Sequence, residues 1–289
     1  MSRFALLILT MTSLLLTGGE ASGQPPLWVV HGRHTTIYMF GSVHILPPGL
    51  DWAPPRLLGA LPKARELWFE LPIDQSTDVA AADLIRTLGY LPPGDSLSRH
   101  LTATEETRLR RVGAKFGLAP ETLDAMQPWW AEVTLSLKVD DVEGATASHG
   151  VEQQLQGFAP VSARRRAFET PAEQIGFLAG ASMADQIASL DETLREIEED
   201  PGSYKRMLDG WMTGNVQELT TDALDPLKTA SPALYKRLIT DRNRRWAETI
   251  RKGLAGRGTM VVVVGMAHLI GPEGVPAQLR AAGLAVEGP

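Results

Sequence analysis

The chain has 289 residues, none of them cysteine, and a formal net charge of −6. Without thiols there are no disulfides, no lipid-modified N-terminal cysteine and no thiol catalysis, so core burial alone must hold the fold. The acidic balance argues against nucleic-acid binding, and 44% apolar with 21% charged residues is the make-up of an ordinary globular protein.

The opening "MSRFALLILTMTSLLLTGGEASG" carries Arg3, an apolar run from Phe4 to Leu16, and small residues at Ala21 and Gly23. This is the layout of a secretory signal peptide cut after Gly23, which predicts a periplasmic or secreted protein. The run is shorter than the about 20 residues of a membrane helix, and no later run reaches that length, so no membrane span is expected in the mature chain. "PLWVVHG" and "HTTIYMFGSVH" predict a hairpin, and "PPRLLGALPKA" a short helix. "RELWFELP" predicts a strand that is apolar on both faces at Leu67, Trp68 and Phe69, as in a parallel or mixed α/β sheet. From Ser76 to about Ala125 the pattern turns helical, with a capping box at Thr102 and Glu105 and a stop at Gly117.

"QPWWAEVTLSLKV" predicts a mostly buried helix from Pro128, and "GVEQQLQGF" a short one. "ARRRAFE" predicts a strand and "TPAEQIGFLAG" the helix after it. Residues 182–224 predict charge-rich helix with "DETLREIEED" as a solvated face, and another helix covers about 232–254. The strand "TMVVVVG", the helix "GPEGVPAQLRAAG" and the strand "LAVEG" close the chain. The expected architecture is α/β (α+β): a mixed central sheet built from the N- and C-terminal strands, with a large helical insertion, in one domain over 24–289.

Two strands end in the same way. "GSVH" places His44 after Gly41, and "GMAH" places His268 after Gly265, each followed by aliphatics and a Pro/Gly turn. Ligands of open α/β sheets bind beyond the carboxyl ends of strands, and glycine allows close backbone approach there. Two imidazoles are therefore expected at one rim. Glu70 ends a buried strand and falls at the same rim, where a carboxylate needs a partner or a cation. The apolar stripe Leu234, Leu238, Trp246, Ile250 includes Arg242 at helical spacing, so that guanidinium needs an anion or must snorkel. Asn243 beside it, His31, His34 and His100 read as solvated, and His149 as ambiguous. Two histidines and a carboxylate could ligate a divalent metal; a metal-free site could instead use one histidine as base with Glu70 orienting it.

Taken together these residues resemble the TraB/GumN family, related to the TIKI metalloproteases and more remotely to erythromycin-esterase and haem-binding ChaN-like proteins. The shared marks, in order, are Gly41 to His44, "LWFE" with Glu70, Gly150-Val151-Glu152, Phe168-Glu169 followed by Gln174, Arg242-Asn243 with Trp246, and Gly265 to His268. Glu152 replaces a usual aspartate and Phe168 a usual leucine. The resemblance implies paired G-x-x-H motifs at a shared site and, for the TIKI branch, metal-dependent peptide cleavage. The expectation is an exported metal-dependent hydrolase, a peptidase, with Mn, Co or Zn on His44, Glu70 and His268. Arg242 would stabilise an oxyanion, Glu152 and Glu169 would support the ligands or act as base, and Gly41, Gly265 and Asn243 would line the cofactor site. Its substrate would be a peptide or small molecule. The alternatives are a non-catalytic haem- or peptide-binding module and a metal-free His/Glu esterase.

Overall fold

The computed structural model describes residues 23–289; the expected signal peptide lies outside them but for Gly23. Six strands form one mixed sheet: β1 (Leu27–His31), β2 (Thr35–Ser42), β3 (Ala64–Phe69), β4 (Arg164–Ala167), β5 (Gly258–Gly265) and β6 (Val286–Glu287), in the order β4-β3-β5-β2-β1-β6. The expected α/β class is what is seen, with both chain ends in the sheet. β5 sits near the middle because Met260 to Val264 are apolar at successive positions and all buried, which demands cover on both faces.

β2 and β5 run parallel with Gly41 opposite Val264 and Ser42 opposite Gly265. β3 runs parallel to the other edge of β5. Three strand ends therefore leave the sheet side by side, in the order β3, β5, β2, and deliver Glu70, Gly265 and the His44 turn to one rim. β1 pairs antiparallel with both β2 and β6 and carries nothing to that rim.

Between β3 and β5 the chain is mostly helical. The capping box at Thr102 and Glu105 forms as expected, and Gly117 adopts φ +70° just past the helix Ala103–Lys115. A second apolar cluster, including Leu97, Leu109, Leu135, Leu190 and Leu194, holds this helical part together apart from the sheet core.

Three expectations need correction. The helix Pro128–Val142 is not mostly buried, because only Pro128, Trp129, Ala131 and Leu135 are; its neighbour Met183–Glu199 covers one side only. That second helix is amphipathic rather than a solvated face, with Leu190, Leu194 and Ile197 buried and Asp191 and Glu198 paired to Arg108. The late helix runs unbroken over 232–253 but is not α-helical throughout. A π-type turn at Lys236–Thr240 precedes the α-helical Asp241–Gly253, and such insertions favour functional sites.

Trp211, on the helix Ser203–Thr213, ties the insertion to the sheet. Its ring lies 5.9 Å from Trp52 and 6.2 Å from Phe40, and its Nε1–H donates to the Gly41 carbonyl at 2.8 Å. Trp211→Ala should cost about 3–5 kcal/mol of unfolding free energy, read as a lower urea midpoint.

Candidate active site

The two G-x-x-H motifs interlock through their glycines. A Cβ on Gly41 would stand 2.7 Å from Met266 Sδ and 3.1 Å from Met266 Cα. A Cβ on Gly265 would stand 3.2 Å from His44 Nε2 and 3.0 Å from Glu70 Oε1. Each motif thus leaves out a side chain where a residue of the other must fit. A cavity of about 420 Å³ opens here, walled by His44, Glu70, Arg242, Gly265 and His268 together with apolar Leu178, Leu219 and Leu238.

His44 reaches this cavity from the loop after β2. Its Nδ1 lies 2.7 Å from Glu152 Oε1, and Ser42 Oγ donates to the same oxygen. Glu152 is delivered by an unusually close approach: a Cβ on Gly150 would collide with the His44 carbonyl oxygen and stand 2.8 Å from its carbon. Val151, fully buried, donates its N–H to the Val43 carbonyl at 3.2 Å. The Gly-Val-Glu segment is therefore a clamp on the first histidine turn. The Glu152 carboxylate raises His44 to about 9, against the opposing effect of burial. His44 is 58% exposed, but Glu152 is only 16% exposed, so its field on the ring is weakly screened and the upward direction holds. With Nδ1 committed, Nε2 is the ring atom left for chemistry.

Arg242 organises the opposite wall. Its Nε and Nη2 donate to the two oxygens of Glu169 at 2.8 Å, a bidentate pair. Nη2 also donates to Glu70 Oε2 at 2.7 Å, and Nη1 donates to the Leu238 carbonyl and to His268 Nε2, both at 3.1 Å. The π-type turn is what presents Leu238 to it. Trp246 lies against the guanidinium, 4.8 Å from its central carbon, and against the His268 ring at 4.4 Å.

The state of His268 follows from its partners. A guanidinium only donates, so Nε2 accepts, and Nδ1–H donates to Asn243 Oδ1 at 2.6 Å. Asn243 Nδ2 donates to the Glu273 carbonyl at 2.9 Å, which fixes the orientation of its amide. Burial, aided by Arg242, pushes His268 down to about 3, so it is neutral. Burial alone would raise Glu70; the fields of His268, Arg242 and His44 and the Gly265 N–H outweigh it and bring Glu70 to about 2. Since a neutral His268 contributes little charge, Arg242, the protonated His44 and the Gly265 amide carry that effect. Burial raises Glu169 in spite of Arg242.

With this geometry in place, one comparison is decisive: the profile of the TraB/PrgY/gumN family matches residues 26–288. The chain belongs to this family. No curated protein and no solved structure matches it. In this TraB/PrgY/gumN member the residues expected at the site meet as follows. His44, Glu70, Arg242, Gly265 and His268 share the cavity; Glu152 and Glu169 touch it through His44 and Arg242; Gly41 backs it from behind Met266. Asn243 is not solvated: it is fully buried and holds His268. Glu70 does not hydrogen-bond His44; Glu152 does. Sequence reasoning gave no role to Ser42, Trp211 or Gln174, whose Nε2 donates to Glu70 Oε2 at 3.2 Å. Gln174 stood inside a shared motif, and Ser42 inside the first G-x-x-H.

Among the described residues no three His, Cys, Asp or Glu side chains converge in a way that would hold a metal. His44 keeps a free Nε2, but His268 has both nitrogens committed and Glu70 already accepts three hydrogen bonds. A guanidinium supplies the positive charge between them. As it stands, this donor set does not fit a dication.

Two outcomes are expected by NMR titration. His44 should hold its proton up to about 9, while His268 stays neutral; Glu152→Gln should bring His44 back toward the usual 6.5. Because the folded value is raised, the pair's contribution to stability is fully present below about 6.5 and fades as pH rises through about 9. Gly150→Ala should displace Glu152 from His44 and lower the His44 value in the same titration, with the sheet intact by circular dichroism.

Proposed function

We propose that this family member is an exported hydrolase of acyl bonds, peptide or ester, with His44 as its base. The observation that supports this reading is the Glu152–His44 pair, whose free Nε2 faces Glu70 Oε1 across the gap left by Gly265. A water in that gap can hydrogen-bond both. Neutral His44 takes its proton as the oxygen adds to the substrate carbonyl, and Glu152 stabilises the imidazolium that forms. The same Nε2–H then donates to the departing amine or alkoxide. Arg242 has no free N–H for an oxyanion, so its part is to hold Glu70 ionised and His268 neutral at the wall. Leu178, Leu219 and Leu238 give the cavity an apolar side for the substrate.

The metal-dependent reading rests on the paired G-x-x-H motifs and the likeness to the TIKI metalloproteases. It requires Arg242 to release both His268 and Glu70.

A panel of peptides and esters tests the proposal. Turnover should fall at least about 100-fold in His44→Ala and comparably in Gly265→Ala, whose methyl occupies the water's place. It should persist after exhaustive chelation. Since Glu152 favours the protonated ring, kcat/KM should climb with pH toward about 9, and Glu152→Gln should move that limb to lower pH. Activity lost on chelation and restored by Mn, Co or Zn would replace this mechanism with the metal one. No turnover of any substrate would refute hydrolysis.

A further inference from the structure

The cavity around His44 shares part of its wall with a second, larger one. Met207 and Ala223 line both the pocket around His44 and a polar chamber of about 550 Å³ between the helices Pro128–Val142, Met183–Glu199 and Ser203–Thr213. Met207, whose side chain is flexible and adaptable, forms part of the wall that the two cavities share.

The charges in the chamber wall are mostly accounted for internally. Arg195 pairs with Glu192 at 3.0 Å and with Glu199 at 4.0 Å, and Arg206 pairs with Asp200 and, at 3.6 Å, with Asp222. Glu196 also has no ion pair among the described residues but is exposed; Glu132 differs in being largely covered. Among the described residues no Lys, Arg or His pairs with it. It stands between two packed helices, and its Oε1 accepts from Ser189 Oγ at 2.8 Å and Thr193 Oγ1 at 3.3 Å. Among the described residues no donor reaches its Oε2, and Glu132 lines the chamber. A desolvated carboxylate with one free oxygen is costly where an apolar side chain would pack. Burial pushes Glu132 up to about 7 against its two hydroxyl partners, and a bound cation would favour its ionised form.

We propose that this chamber is the extended substrate subsite of the hydrolase and that Glu132 Oε2 receives an ammonium or guanidinium group, so that the preferred substrates are cationic peptides. This assignment rests on the hydrolase reading for the word substrate, but its core is a binding claim that stands apart from turnover. The two hydroxyls hold the carboxylate in place and leave one oxygen for a charge-assisted hydrogen bond. The overall charge of −6 favours the approach of such a ligand.

The test is calorimetric binding of two short N-acetylated, C-amidated peptides that differ only in one lysine against norleucine. Wild type should bind the lysine peptide about tenfold more tightly, the size of one charge-assisted hydrogen bond. Glu132→Gln, nearly isosteric and able to keep a bond to Ser189, should erase that difference and leave the norleucine affinity unchanged. Met207→Trp, which adds bulk at the wall the two cavities share, should weaken both peptides if they span the two. His44→Ala should lose turnover and keep the lysine preference. Equal binding of the two peptides to wild type, or a preference that survives in Glu132→Gln, overturns the proposal. A preserved preference in a protein that hydrolyses nothing would refute only the catalytic reading.

Discussion

The five N–H bonds of one guanidinium hold this site together. Arg242 gives them to Glu169, Glu70, His268 and the Leu238 carbonyl, and each recipient lies on a different part of the chain. Burying such a cation is unfavourable unless its surroundings satisfy it completely, and here they do. Lysine, a single point charge with three donors, could not reproduce the fork toward Glu169 while reaching the other three groups. Two carboxylates beside one buried guanidinium leave excess negative charge, which Arg245, 3.5 Å from Glu169, and the protonated His44 partly balance.

The repeated G-x-x-H arises from packing as much as from chemistry. Two parallel neighbouring strands end at the same level, so their turns would compete for one volume if both began with a side chain. Gly41 yields space to Met266, and Gly265 yields it to His44 and Glu70. The histidines that follow have opposite fates. His44 is half in solvent, charged, and clamped by Glu152; His268 is sealed, neutral, and shared by Asn243 and Arg242. A matched motif has produced one ring with an uncommitted, solvent-facing nitrogen and one that is part of the scaffold.

Much of this was legible in the sequence. The unbroken run Met260–Val264 announced a strand, and the Gly/His endings with Glu70 announced the rim. Arg242 was visible as a charge inside an apolar stripe. What escaped depended on the third dimension. Asn243 follows Arg242 and looked like an ordinary helix-surface amide, but the π-type turn before it changes which residues face inward. Glu152 was named through the shared Gly-Val-Glu motif, but its partner was not: it sits on a five-residue helix, and only the contact of Gly150 with the His44 carbonyl shows why it reaches that ring. The helix Pro128–Val142 reads as mostly buried, but a neighbour covers only one side of it and even Trp130 is only partly covered.

If a guanidinium rather than a dication joins the two walls, His268 must carry its proton on Nδ1 and keep Nε2 as an acceptor. Long-range ¹⁵N–¹H NMR of His268 reads this directly. The tautomer should be Nδ1–H, unchanged from about pH 5 to about pH 9 and unchanged on adding Zn²⁺. An Nε2–H tautomer, a ring that titrates in that range, or a shift on adding Zn²⁺ would contradict the arrangement on which the account rests.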